Sequence, residues 1–413
     1  MALAILSLAL AGMALPVARA HAAEVPSQEA PGVLRATLEN GLRVVIVRNR
    51  LAPVVTTSVN VLVGADETPP GFPGMAHAQE HMMFRGNPGL AGDQLAYLSA
   101  MMGGSFDAVT RQNVTQYFFT VPAEDLDVAL NIEAIRLKDV LDREKDWAQE
   151  RGAIEQEVAQ DLSSPRYVLY AKLRAALFAG TTYAHDALGT RPSFDKTTGA
   201  MLKAFHDKWY APNNTVLVVA GDLEPAATLA KVKALFGAIP ARALPPRPGF
   251  ALAPLQAQSV QLSSNLPDAL SVIAFRMPGL ESADYAAAEL LGDVLASPRG
   301  ELYGMVPAGK ALSADFSYEA LPKAGLAYSL VSFPAEGDPA AVEKEVRAIL
   351  ARIAREGVPA DLVAAAKRQE RRVLEFQRNA IADLATAWAE AVAVNGLASP
   401  DEWLERLEKT SVA

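Results

Sequence analysis

The stretch GMAHAQEHMMFRG, Gly74 to Gly86, carries His77 and His81 four residues apart, with Glu80 just before the second. In a helix these imidazoles lie one turn apart on one face, the spacing at which two of them can bind one metal ion. Pro69, Pro70 and Pro73 break any preceding strand and set up a helix start, and Gly86 reads as its stop. The competing reading is a helix that holds two surface or core histidines, the ordinary fate of an arbitrary pair. Only five histidines occur in 413 residues, which weighs against coincidence.

A catalytic zinc site uses three protein ligands and keeps one position open. The chain has no cysteine, which removes thiol catalysis, disulfides and zinc-thiolate sites and leaves a carboxylate as the natural third ligand. The segment WAQERGAIEQEVAQ, residues 147–160, supplies Glu150 and Glu157 seven residues apart and so nearly in line, beside an apolar stripe of Trp147, Ile154 and Val158. Taken alone, such glutamates are ordinarily a solvated helix face. Ser and Thr are scattered without a nucleophile triad, and His185 and His206 lack convincing partners and read as structural.

His77-x-x-Glu80-His81, the inverted zinc-peptidase motif, and Glu157 placed 76 residues after His81 within Glu150-x6-Glu157 together resemble the pitrilysin family of inverzincin metallopeptidases. Further matching pieces are Phe84-Arg85-Gly86, Met102-Gly103-Gly104, AVTRQNVTQYFFTVP at 108–122, IEAIR around Glu133 and WYAPNNTVLVVAGDL at 209–223. The resemblance implies His77, His81 and Glu157 as ligands of one Zn2+, Glu80 as the general base and Glu150 as a carboxylate orienting a ligand or the water. It implies hydrolysis of extended or unfolded peptides by activated water, with Glu80 taking the proton and passing it to the leaving amine. It also implies that the edge strand at Phe106, Asp107, Ala108, Val109 and Thr110 binds the substrate backbone as an added strand; the residues alone allow an ordinary core strand equally well. Asp107 and Asn113 depart from the family, which usually has Asn and Asp there.

Family members close two halves around the substrate, the second contributing an arginine and a tyrosine. Met305 and Leu312 occupy the corresponding positions here, and Leu321 stands where an arginine would accompany Tyr328. The chain therefore reads as the zinc-bearing half of a two-half peptidase, its second half lying on the same longer polypeptide or on another subunit. The alternative is a noncatalytic scaffold or peptide-binding subunit of such a complex.

Around this motif, apolar runs flanking Asn40-Gly41 predict a hairpin, with strands following at Val54–Gly64 and Asn213–Leu223. Helices are predicted from Asp93, as N-cap, to Met102, over Ala123–Leu141 and over Arg143–Gln160. The proline-rich ALPPRPGFALAP, residues 243–254, reads as a linker. Beyond it strands near Ser259–Met277, a helix at Ala283–Ala296, a strand pair near Leu312–Phe333 and terminal helices repeat the plan. The expected fold class is α+β, a half-clamshell of two homologous domains, each a mostly antiparallel sheet covered by helices: a zinc-binding peptidase domain at 23–242, a linker at 243–256 and a second domain without the metal motif at 257–413.

Residues 1–22 combine an apolar run with small-x-small sites at Ala18-Arg19-Ala20 and Ala20-His21-Ala22, which predicts a signal peptide and export, to a bacterial periplasm. A membrane anchor is the alternative, but the run is shorter than the roughly 20 residues of a span. With 38 basic against 47 acidic residues and no dense basic run, nucleic acid is excluded as a partner. No later stretch predicts a membrane segment, so peptides and a second half are the partners expected.

Overall fold

The computed structural model describes residues 32–263 and 265–412; the predicted signal peptide lies outside the described residues. The first half of the chain builds a six-stranded sheet from β1 (Val33–Thr37), β2 (Arg43–Arg48), β3 (Val54–Val61), β6 (Ser105–Thr110), β7 (Thr115–Pro122) and β8 (Thr215–Gly221). A short pair, β4 (Gly86–Asn87) and β5 (Leu90–Ala91), stands apart from it. The order is β1-β2-β8-β3-β7-β6, antiparallel except for β2 against β8. β6 is an edge, hydrogen-bonded to β7 alone. Strands β2, β3 and β8 are buried on both faces, as their valine-rich runs require.

Helices α1 (Met75–Met82), α2 (Gly92–Met101), α3 (Leu126–Lys138), α4 (Glu144–Leu162), α5 (Pro165–Leu177), α6 (Arg191–Phe194), α7 (Gly199–Trp209) and α8 (Pro225–Phe236) follow in order. Most enclose one core with the sheet, and within it α1 packs against α4, α7 and β6. Helix α2 begins one residue before Asp93: Ala91 is its N-cap, and Asp93 instead accepts a hydrogen bond from the Gln94 amide inside the first turn.

The second half carries a three-stranded antiparallel sheet, β10 (Ser313–Ala320), β11 (Ala324–Pro334) and β9 (Asp268–Pro278) in that order. Helices α9 (Tyr285–Ala296) and α10 (Pro339–Glu356) lie against it. The strand expected from Ser259 starts only at Asp268, because residues 255–262 run exposed without a partner strand. Helix α5 packs on β9 and joins the two halves through a core of Leu177, Phe178, Tyr183 and Leu326.

Helices α11 (Ala360–Gln377), α12 (Ile381–Ala389) and α13 (Pro400–Lys409) complete the chain. A π-helical turn, Glu390–Val394, follows α12 directly. Helix α12 returns to the first sheet, setting Leu384, Ala385 and Trp388 against Val45, Val216 and Val218 on the face opposite the main core. The fold is thus α+β, with antiparallel pairing dominant in both sheets. No helix of the described residues is long and apolar enough to cross a membrane.

Candidate metal centre

Helix α1 is buried nearly all round, so its polar residues are enclosed with the core rather than set on a solvated face. His77 and Glu80 are each 8% exposed. Two glycines allow that enclosure. Gly74 sits at φ +90° and Gly189 at φ +84°, and a Cβ on either would meet the other's Cα at 2.5 Å. Their contact presses residues 182–189 onto the start of α1 and brings the Leu188 carbonyl to His77 Nδ1 at 3.2 Å.

Helix α4 supplies the carboxylates. Trp147 is buried and donates its indole N–H to the Thr197 carbonyl at 2.7 Å, and with Ile154 and Val158 it fixes the roll of the helix. Losing such a buried tryptophan costs about 3–5 kcal/mol. With that stripe inward, Glu150 and Glu157 face α1. Glu150 Oε1 accepts from His81 Nδ1 at 2.8 Å, and its other oxygen pairs with Arg85. Glu157 Oε2 lies 3.6 Å from Nε2 of both histidines.

A carbonyl and a carboxylate can only accept, so both Nδ1 atoms carry the hydrogen and both Nε2 atoms present lone pairs. Those two Nε2 atoms are 3.2 Å apart, beside the Glu157 carboxylate. Three electron-rich atoms gathered in this way can hold a cation between them. Tetrahedral ligands at about 2.0–2.1 Å from zinc stand roughly 3.3 Å from one another, so the donor set fits a divalent metal ion. His77, His81 and Glu157 are the one such three-residue group found among the described residues.

Glu80 is held beside this set by the edge strand, Thr110 Oγ1 donating to its Oε2 at 2.6 Å. Burial raises the Glu80 pKa, and the neighbouring His77 and the Thr110 hydrogen bond offset part of that rise. Desolvation pulls the His81 pKa down, but the Glu150 hydrogen bond and the charges of Glu80, Glu150 and Glu157 outweigh it and raise the pKa. Burial alone would raise the Glu150 pKa, yet His81 and Arg85 hold it below the usual carboxylate range. A buried carboxylate that stays ionised is suited to orient a ligating imidazole.

The centre opens onto a cleft of about 1070 Å3. Its wall includes all five strand residues singled out from the sequence, Phe106 to Thr110. Phe106 is 44% exposed, Asp107 is also exposed and caps the Ala108 amide with its own carboxylate, and Ala108, Val109 and Thr110 are half-buried. The other two described histidines lie away from the metal group. His206 is buried, stacks on Tyr210 and sits 3.3 Å from the Arg136 carbonyl; His185 Nδ1 sits 3.0 Å from the Asp186 carbonyl. Met305 is buried, Leu312 is exposed, and Tyr328 lies within β11.

Residues 43–191 match the family described as insulinase, peptidase family M16, and residues 196–370 match the peptidase M16 inactive domain. The chain belongs to peptidase family M16, the pitrilysin family. Among its M16 relatives, an uncharacterized zinc protease of Streptomyces coelicolor is 28% identical over 73% of this chain and 64% of its own length. The coenzyme PQQ synthesis protein F of Pseudomonas aeruginosa is 31% identical over 67% of this chain and 36% of its own. The chain thus spans less than two thirds of these relatives. A protease from Helicobacter pylori shares the fold with a TM-score of 0.84 at 20% identity, covering 92% of this chain and 94% of that one. The periplasmic protease PqqL of Escherichia coli gives 0.76 at 20% identity, with 94% of this chain on 46% of that one, so the M16 half-clamshell is the architecture here.

Several contacts of the centre had no readable signal in the sequence. The Leu188 carbonyl is a backbone atom, the Gly74–Gly189 contact joins distant positions, and the bond from Thr110 to Glu80 depends on sheet register. Arg85 stood in a motif piece, but its pairing with Glu150 needed the packing of α1 on α4.

Proposed function

We propose that this chain is the zinc-bearing half of an exported metalloendopeptidase that hydrolyses peptide bonds in extended or unfolded peptides. The observation that carries the reading is the convergence of His77 Nε2, His81 Nε2 and Glu157 Oε2 at the head of an open cleft, with Glu80 alongside. His77, His81 and Glu157 hold the ion. Bound zinc supplies Lewis acidity to water and to the scissile carbonyl.

The chain's own residues supply the rest. Glu80, with a pKa raised by burial, takes a proton from the attacking water and delivers it to the leaving amine. Glu150 keeps the His81 tautomer that points a lone pair at the ion, and the Leu188 carbonyl does the same for His77. The edge strand β6 offers unpaired backbone groups to an extended peptide, so recognition rests on main-chain hydrogen bonds and Phe106 adds an apolar contact. Met305 and Leu312 cannot donate to an oxyanion, so full turnover draws on a second half. Each missing donor is worth roughly 3–4 kcal/mol. Export to a periplasm rests on the apolar leader.

The second reading is a peptide-binding subunit without turnover, favoured by the inactive-domain description that covers 196–370. Zinc analysis of the purified protein, with a quenched peptide cleaved by the native chain and by Glu80→Gln, separates them. Bound zinc with cleavage that Glu80→Gln abolishes supports the peptidase. Zinc without cleavage, even when a second M16 half is added, supports the binding subunit. Equal cleavage by both proteins overturns Glu80 as the base.

A further inference from the structure

Arg174 of α5 is 1% exposed and spends all five of its guanidinium hydrogens. Nε donates to the Tyr183 carbonyl at 3.1 Å, and Nη2 donates to the His185 carbonyl at 3.1 Å and to Gln112 Oε1 at 2.7 Å. Nη1 donates to the Tyr170 hydroxyl at 2.8 Å and to Glu319 Oε1 at 3.0 Å. Glu319 belongs to β10 of the second half and also accepts from Tyr170 at 2.8 Å. One buried cation therefore ties the second sheet to two segments of the first half.

Both segments end at the metal centre. Gln112 lies in the β6–β7 turn, two residues from the Thr110 that grips Glu80. Tyr183 and His185 lie in the segment whose Leu188 carbonyl orients His77. The same turn is held a second time from the second half: Glu390, in the π-helical turn after α12, pairs with Arg111 at 2.6 Å. A π-helical turn is a rare conformation that recurs at functional sites. A partly exposed ion pair of this kind contributes little to stability, so its effect is on placement.

We infer that Glu319 and Glu390 are positioning residues: through Arg174 and Arg111 the second half sets the β6–β7 turn, and with it Glu80, Thr110 and His77. The inference rests on the zinc-peptidase reading and assigns the half without ligands a part in the metal centre. It makes the site sensitive to how the two halves sit together.

The test uses the full chain with Glu319→Ala combined with Glu390→Arg, and the same protein with Arg111→Glu added to restore the outer pair. Melting of the metal-free proteins checks that each folds. Zinc affinity is read by competition with a chromophoric chelator, and ligand geometry by the absorption of the cobalt-substituted protein. The expected result is zinc affinity lowered by up to about 10-fold, the lower end of the loss seen when a direct partner of a ligand is removed, with shifted cobalt bands, a lower kcat and an unchanged KM. Adding Arg111→Glu recovers part of each. Native affinity and native cobalt bands in the folded double variant would overturn the inference while leaving the peptidase reading intact. A wild-type chain that binds no zinc would instead sink the peptidase reading itself.

Discussion

Thr110 Oγ1 reaches Glu80 Oε2 at 2.6 Å, a bond from the open edge of the sheet to the proposed base on the buried helix. Thr110→Val removes the donor and keeps the shape. A hydrogen bond to a charged group is worth about 1.5–3 kcal/mol, so kcat should fall roughly 10- to 100-fold. Thr110→Ser should recover most of it. Steady-state kinetics on a quenched peptide decide the matter, and an unchanged kcat in Thr110→Val would remove this contact from the mechanism.

Zinc should stabilise the folded chain, since the unfolded chain does not assemble the three ligands. At a free concentration 100 times Kd the gain is about 2.7 kcal/mol. Thermal melts with and without zinc should therefore separate for the native protein and coincide for His77→Ala and for Glu157→Gln. A native protein whose melting ignores zinc and chelator alike argues against the site.

Glu150→Gln leaves the three proposed ligands in place but removes the charge that His81 and Arg85 hold ionised. Zinc affinity should fall about 10- to 100-fold, measured by chelator competition. Arg85→Lys should fall short of that loss, because a lysine still pairs with Glu150.

Gly74→Ala forces a Cβ into the Gly189 backbone and into a left-handed conformation that L side chains avoid. A cost of about 1–3 kcal/mol is expected from the strained backbone alone. The segment carrying Leu188 must also withdraw from His77, so the loss of zinc affinity should exceed that of Gly71→Ala, where the added Cβ meets open space at a similar φ. Equal melting temperatures and zinc affinities for the two variants would show the close contact to be dispensable.

A pH effect unrelated to the metal centre comes from the second half. Burial pushes the carboxyls of Glu289 and Asp293 on α9 up to about 7, and Glu370 on α11 is raised as well. Between the ordinary carboxylate range and that value the folded chain binds more protons than the unfolded one, so stability falls as pH rises from about 4 to about 7. Glu289→Gln removes one such group and should stabilise the protein by on the order of 2 kcal/mol at pH 8 while changing little at pH 4. Denaturant melts at the two pH values test the sign.

The gathering of His77, His81 and Glu157 was legible in the sequence where local geometry fixes it. Two histidines four apart on a helix must share a face, and a helical carboxylate stripe beside Trp147, Ile154 and Val158 must roll with it. What stayed hidden depends on long-range placement. Nothing near Leu188 announces that its carbonyl will orient His77, and Arg174 resembles any helical arginine until its five acceptors are seen to come from its own helix, the 183–185 segment, the β6–β7 turn and β10. The fold was readable to the same depth: the Asn40-Gly41 hairpin and the β10–β11 pair follow from alternation and turns. The strand expected from Ser259 did not form before Asp268, since alternation makes no strand without a neighbour to bond. The return of α12 to the first sheet left no local mark.

That return has a practical consequence for dissecting the molecule. Trimming the chain at the proline-rich connector would expose the valines of β2 and β8 that Trp388 and its neighbours cover, so a recombinant N-terminal fragment ending near residue 242 should be prone to aggregation. A protease that nicks the connector in the intact protein should leave two pieces that co-elute. The severed C-terminal piece would stay bound as a tight-fitting lid on the back of the first.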